Sequence, residues 1–170
     1  DFNQEMVDLE LRHGNGRWPG LFVEGLAEER FLPVCSPSYA AEGSLTADEL
    51  PAHRLIHSVK SQAQWMTWFQ LAETAADARW RRVLFDRSHM AIDAAVRGMG
   101  IALESTLMMQ DELKSGALIC PVRDPPELRI TTQWIVCPRD HLHQRKVRQF
   151  LEWLRDERDA WQALQGTGDT

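Results

Sequence analysis

The chain has 170 residues, with 25 Asp and Glu against 19 Lys and Arg and a net charge of −6. That length allows one sizeable core or two small lobes and excludes a large multidomain enzyme. The negative balance argues against this segment holding nucleic acid by neutralising phosphates.

Seven tryptophans bring large surfaces and indole N–H donors that need partners, so most are expected in the core or an interface. Cys35, Cys120 and Cys137 are odd in number and lack C-x-x-C spacing. They favour buried free thiols in a reducing compartment over a disulfide framework or a zinc site. No signal peptide or membrane-length apolar run is visible, although a chain opening on Asp1 leaves room for a removed upstream segment.

In chain order, Val7 to Arg12 alternates apolar and charged residues as a half-buried strand does. The Gly-rich loop His13 to Gly20 follows, then extended segments at Leu21 to Leu26 and Phe31 to Cys35. Ser36-Pro37 reads as an N-cap with proline at the first helical position, opening a short helix through Tyr39 and Ala41. Thr46 and Glu49 form a capping box, Arg54 to His57 a strand, and Trp65, Trp68, Phe69 and Leu71 one face of a helix from about Gln62 to Ala72. A polar, alanine-rich linker leads to a β-forming run from Trp80 to Phe85.

Ser88 then caps a helix with Met90, Ala91, Ala94, Ala95 and Val96 on its apolar face. Gly98 and Gly100 mark its end, and Ile101, Ala102 and Leu103 begin another strand. Strand, helix, strand predicts that the two strands run parallel. Ser88 is therefore expected at a helix N-terminus beyond a strand's carboxyl end, where free N–H groups and the helix dipole favour an anion. Leu107 to Leu113 reads as helical, Leu118 to Val122 as extended, and Arg123 to Glu127 as a turn. Ile130 to Cys137 is the last strand, and Arg145 to Leu164 a long helix with Val147, Phe150, Leu151, Leu154 and Trp161 on one stripe. Gly166 to Thr170 is expected to be disordered. Alternating strands and helices predict an α/β fold around a mainly parallel sheet.

Catalysis finds little support. Ser88-His89 and His57-Ser58 supply a nucleophile and a base, but neighbours on a helix point about 100° apart and there is no G-x-S-x-G elbow. His141 and His143 have no third ligand nearby, so a loop is favoured over a metal site. Neither GxGxxG nor a P-loop lysine motif is present, and no cofactor is expected. Ser36 and Ser88 as plain helix caps and Arg12 as a surface charge remain the simplest readings from spacing.

Several segments nevertheless form a recognisable set in order along the chain: VDLELRHGNGRWPGL, FLPVCSPSY, the W-x-x-W helix at Trp65 to Trp68, FDRSHMAIDAAVRGMGIAL, and the closing strand with its FLEWL helix. Together they resemble the effector-binding domain of LysR-type transcriptional regulators. The likeness is greatest to the branch that includes the glycine-cleavage, tryptophan-biosynthesis and β-lactamase regulators.

The resemblance implies a two-lobed fold similar to type II periplasmic binding proteins. Lobe I would be residues 1–32 plus 135–170 and lobe II residues 33–134, with crossover strands near Phe31 to Val34 and Gln133 to Val136. It also implies that Arg12, His13, Ser36, Ser88 and Gln133 face an effector cleft. By the same resemblance, the family's N-terminal winged helix-turn-helix and about 40 residues at the start of lobe I are expected to be missing from this chain, the latter through truncation or because a partner chain supplies them. The implied function is a cytoplasmic effector-sensing domain that binds a small, anionic metabolite, forms a homodimer or higher homo-oligomer, and reaches DNA only through the absent domain, with no membrane contact. An extracytoplasmic solute-binding protein of the same fold is the alternative, and an enzyme a third.

Overall fold

A computed structural model describes residues 7–74 and 80–166. The chain divides into two compact units, one of residues 1–28 and 131–170, the other of residues 29–130. Both boundaries fall inside strands, so the backbone passes from unit to unit without a loop.

In the first unit, β1 (Glu10–His13) pairs antiparallel with β6 (Leu128–Pro138), which neighbours β2 (Leu21–Val34). The long helix α4 (Arg145–Gly166) lays Val147 and Leu151 on Ile135, with Leu9, Leu26, Leu142 and Leu154 around them. Arg155 Nε on α4 donates 2.8 Å to Glu24 Oε1 on β2. Apolar residues three and four apart give α4 its buried stripe. Phe150, expected on that stripe, is instead largely exposed beside Trp153.

In the second unit the order is β2, β5 (Ile101–Ser105), β3 (Arg54–Ser58), β4 (Arg81–Phe85). β3 is parallel to both β4 and β5, so β4 and β5 run the same way as expected, with β3 between them. β2 lies antiparallel to β5. The sheet is mixed rather than mainly parallel, because β2 enters it directly, without the helical crossover that enforces parallel pairing.

The sheet of the second unit carries an apolar cluster on each face. On one face α1 (Trp65–Leu71) packs Trp65, Trp68 and Phe69 against Phe31, Leu55, Ile101 and Leu103. The Trp65 indole N–H finds its partner in the Ile56 carbonyl at 2.9 Å. On the other, α2 (Ser88–Val96) packs Ala91, Ile92, Ala94 and Ala95 against Leu32, Val34, Ile56 and Ala102. Three alanines let the helix lie close to the sheet. Met90, expected on this face, points outward.

Gly98 takes φ +72°, a left-handed turn that suits glycine after a helix. A Cβ on Gly100 would lie 2.3 Å from the Arg54 carbonyl oxygen, so only glycine lets the α2–β5 turn pass β3. The expected Thr46–Glu49 box opens a short 3-10 helix, Ala47–Ala52, where the Thr46 N–H donates 2.7 Å to Glu49 Oε2.

Three expectations are corrected. The extended segments at Leu21 and Phe31 are one strand, β2. The segment after Ser36 forms a turn and no helix: the Tyr39 N–H bonds back to the Ser36 carbonyl at 3.0 Å, and Gly43, at φ +59°, redirects the chain. Leu107 to Met109 is turn, and α3 spans only Gln110–Ser115. Much of the alanine-rich linker and the last four residues lie outside the described residues.

Candidate functional site

Arg12, His13 and Gln133 belong to the first unit, Ser36 and Ser88 to the second. In the first unit, His13 is the register partner of Gln133 and Arg12 that of Trp134 across β1 and β6. Adjacent strand residues project to opposite faces, and burial alternates accordingly: Glu10 and Arg12 are partly covered, Leu11 and His13 exposed.

Arg12 is paired with Glu10 on its own face, and its guanidinium lies 5.7 Å from the Trp18 ring centroid. The Gly-rich loop is held by Trp134, whose indole N–H donates 2.8 Å to the Gly14 carbonyl. A Cβ on Gly16 would sit 2.7 Å from the Trp134 ring. Gly14, whose Cβ would meet the Trp18 ring at 3.2 Å, and Gly16 thus make room for the two tryptophans beside Arg12.

In the second unit the two serines do not share one local group. Ser88 is the first residue of α2, and Arg87 holds the N-cap position. Ser36 sits near the other end of α2, its N–H donating 3.2 Å to the Ala95 carbonyl, about 10 Å of helix away. Both expected caps are therefore corrected: Arg87 rather than Ser88 holds the N-cap of α2, and no helix follows Ser36. Its buried hydroxyl meets Ser38 Oγ at 2.9 Å.

Ser88 has the environment suited to an anion. The first intrahelical bonds of α2 come from the N–H groups of Met90 and Ala91 to the Arg87 carbonyl, and the N–H groups before them have no partner within the helix. Ser88 Oγ lies 3.4 Å from Ser58 Oγ, at the carboxyl end of β3. β4 also ends here, at Phe85. The site lies beyond the carboxyl ends of parallel strands, the usual ligand position in open α/β sheets.

The third side chain of this group, Glu104 near the end of β5, was not expected. It is 1% exposed, and neither carboxyl oxygen has a full hydrogen-bond partner among the described residues. Burial pushes its pKa up to about 7; the Ser88 hydroxyl lowers it and the Glu29 carboxylate raises it again. The sequence sign of it is an acid in the short apolar run IALES, on the same strand face as Ala102.

The other chemistry considered has structural explanations. The His141 ring bonds the Asp8 carbonyl at 3.0 Å through Nδ1. Among the described residues no three His, Cys, Asp or Glu side chains are placed to hold a metal. All three cysteines are free, and burial pushes the Cys35 thiol up to about 11, far from a reactive thiolate.

The family model of the LysR substrate binding domain matches residues 2–159. The chain is 34% identical over 151 residues to the glycine cleavage system transcriptional activator of Escherichia coli K12, covering 87% of this chain and 48% of that protein. It is 35% identical over 158 residues to the HTH-type transcriptional regulator PerR of the same organism, covering 92% and 52%. The chain thus spans about half the length of the curated relatives it matches. Among solved structures, the effector domain of the transcriptional regulator AmpR of Pseudomonas aeruginosa aligns with a TM-score of 0.76 at 27% identity, over 94% of this chain and 76% of that one. The AmpR effector binding domain from Citrobacter freundii gives the same TM-score at 24% identity, over 94% and 78%, a likeness of fold.

Proposed function

The chain belongs to the LysR family of transcriptional regulators as an effector-binding domain, and from this premise we propose that it senses a small anionic metabolite on behalf of a DNA-binding regulator. The observation that carries the reading is Ser88. A hydroxyl and the unbonded first N–H groups of α2 converge beyond the carboxyl ends of β3 and β4, which is a site for a carboxylate or similar anion. Arg12, His13, Ser36 and Gln133 remain in the proposal as further effector contacts, each open to alanine substitution.

Bound effector would favour one arrangement of the domain over another by its difference in affinity for the two, and so change how DNA-binding segments outside this chain are presented. The matched relatives are transcription regulators, which favours this role over a solute carrier or an enzyme. A net charge of −6 agrees with DNA contact made elsewhere. A cytoplasmic location and a homodimer follow from the same role, and no helix among the described residues is long and apolar enough to cross a membrane.

The test is a thermal-shift screen of this domain against amino acids, dicarboxylates and pathway intermediates. A ligand bound only by the native state raises the melting temperature, with about 2.7 kcal/mol of stabilisation at a hundred times Kd. A reproducible rise with a small anion is expected. A panel in which only uncharged or cationic compounds raise the midpoint would overturn the anionic reading.

A further inference from the structure

Glu104 lies two residues beyond Ala102 on β5, and Ser58 two beyond its register partner Ile56 on parallel β3, which places Glu104 beside the Ser58–Ser88 contact at the start of α2. It is buried, and neither oxygen of its carboxyl has a full hydrogen-bond partner among the described residues. A charged carboxylate in that position is expensive unless it is paired. A second negative charge brought to Ser88 would make it more so. We propose that Glu104 is a positioning residue that couples anion binding at Ser88 to the uptake of one proton. The inference rests on the anion site proposed above and adds its regulation by pH.

The chemistry follows from what a hydroxyl can do. Ser88 has one O–H to donate and lone pairs to accept with. When Glu104 is ionised it can only accept, and it draws the Ser88 proton toward itself, leaving the lone pairs of Ser88 Oγ facing the ligand. An anion is then repelled twice, by those lone pairs and by the carboxylate. When Glu104 carries a proton from solvent, its own O–H donates to Ser88 Oγ, and the Ser88 O–H is released to donate to the anion. One proton is taken up and no other bond changes.

The groups around Glu104 leave this assignment to Glu104 itself. From β2, Glu29 adds negative charge and makes protonation easier. From β3 the contribution to the cluster is the neutral Ser58, and from α2 it is Ser88. The turn after β5, residues 106–109, contains no charged side chain. The position of Glu104 near neutrality supports the coupling. His57 and His89 are sequence neighbours of the two serines, so the test must separate their imidazoles from Glu104.

The experiment titrates acetate and sulfate, neither of which titrates between pH 6 and 8, into the domain at both pH values, followed by the backbone amide resonances of Ser88 and His89. The wild type should bind about tenfold more weakly at pH 8 than at pH 6, as expected for a site open only when a group titrating near 7 is protonated. Glu104→Gln is neutral at every pH and can still donate to Ser88. It should bind equally at both pH values, as tightly as the wild type at pH 6, while retaining both histidines.

A tenfold fall retained in Glu104→Gln, with binding lost in Ser88→Ala, would overturn the proton coupling and leave the anion site standing. Unaltered binding in Ser88→Ala, or binding of neither anion to the wild type, would overturn both. Should Glu104→Gln fail to fold, calorimetry of acetate binding to the wild type at pH 7 in two buffers of different ionisation enthalpy still decides. Proton uptake is expected, and its absence would overturn the coupling.

Discussion

Ser88 Oγ and Ser58 Oγ lie 3.4 Å apart, joining the first residue of α2 to the last of β3. The contact brings a helix start, a strand end and a buried acid, Glu104, into one small group beside the apolar clusters that cover the sheet.

Stability should carry the signature of Glu104. Its native pKa, about 7, is raised above the ordinary 4.5, so between those values the native state holds a proton that the unfolded chain has released. Raising the pH through this window therefore favours unfolding, and the effect levels off above it. At about 1.4 kcal/mol per pH unit, the wild type should lose about 3 kcal/mol relative to Glu104→Gln between pH 4.5 and pH 8. Urea midpoints of the two proteins across that range measure it. A constant difference between them would show that the carboxyl is not held in the protonated form.

Gly100→Ala should destabilise the second unit by about 2–4 kcal/mol, because the new methyl meets backbone that cannot rotate away. The obstacle is the Arg54 carbonyl oxygen at 2.3 Å. Gly20→Ala provides the contrast. There φ is +83° with nothing within 4 Å, so only backbone strain of about 1 kcal/mol applies. Chemical denaturation of both variants checks the order, and equal losses would contradict it.

The local signals in the sequence that proved reliable were those whose cause lies within a few residues. Thr46 and Glu49 meet as a capping pair, Gly98 ends α2, and Val147 and Leu151 face the core. Where tertiary context decides, the sequence misled. Ser36-Pro37 carries a helix-start signal, yet the bridge between Cys35 and Ile119 and the redirection at Gly43 leave room for a single turn. Met90, Leu71 and Phe150 fit apolar stripes but point outward, since a period does not say where the covering neighbour ends. Ser88 was found from its place between a strand and a helix. For Glu104 the sequence shows only an acid on the same strand face as Ala102, and its meaning depends on the helix start that packs near it.

Arg155→Ala should cost at most about 1 kcal/mol at pH 7, since the Arg155 side chain is 40% exposed and water screens the pair. The Glu24 pKa is lowered first by its hydrogen bond with Arg155. The contribution is therefore present above the ordinary carboxylate pKa and disappears as the pH falls through the lowered native value. Urea midpoints of wild type and variant should converge at acid pH. A gap that widens there would contradict the assignment.

The proposed homodimer has a candidate surface in Phe150 and Trp153 on α4, 42% and 52% exposed with ring centroids 5.4 Å apart. Exposed aromatic pairs of this kind are typical of interfaces. Trp153→Glu should shift the protein toward monomer in analytical ultracentrifugation without loss of helicity. An oligomer that persists at the same concentration would remove this surface from the interface.

The measurement that bears most directly on the sensing role is calorimetric titration of the anion that gives the largest thermal shift into wild-type domain and into Ser88→Ala. Removal of one hydrogen-bond donor to a charged ligand should weaken binding by about 1–2 kcal/mol, about five- to thirtyfold in Kd, with the melting temperature of the free variant little changed. Equal affinity in the two proteins would place the effector elsewhere and contradict the site proposed at the start of α2.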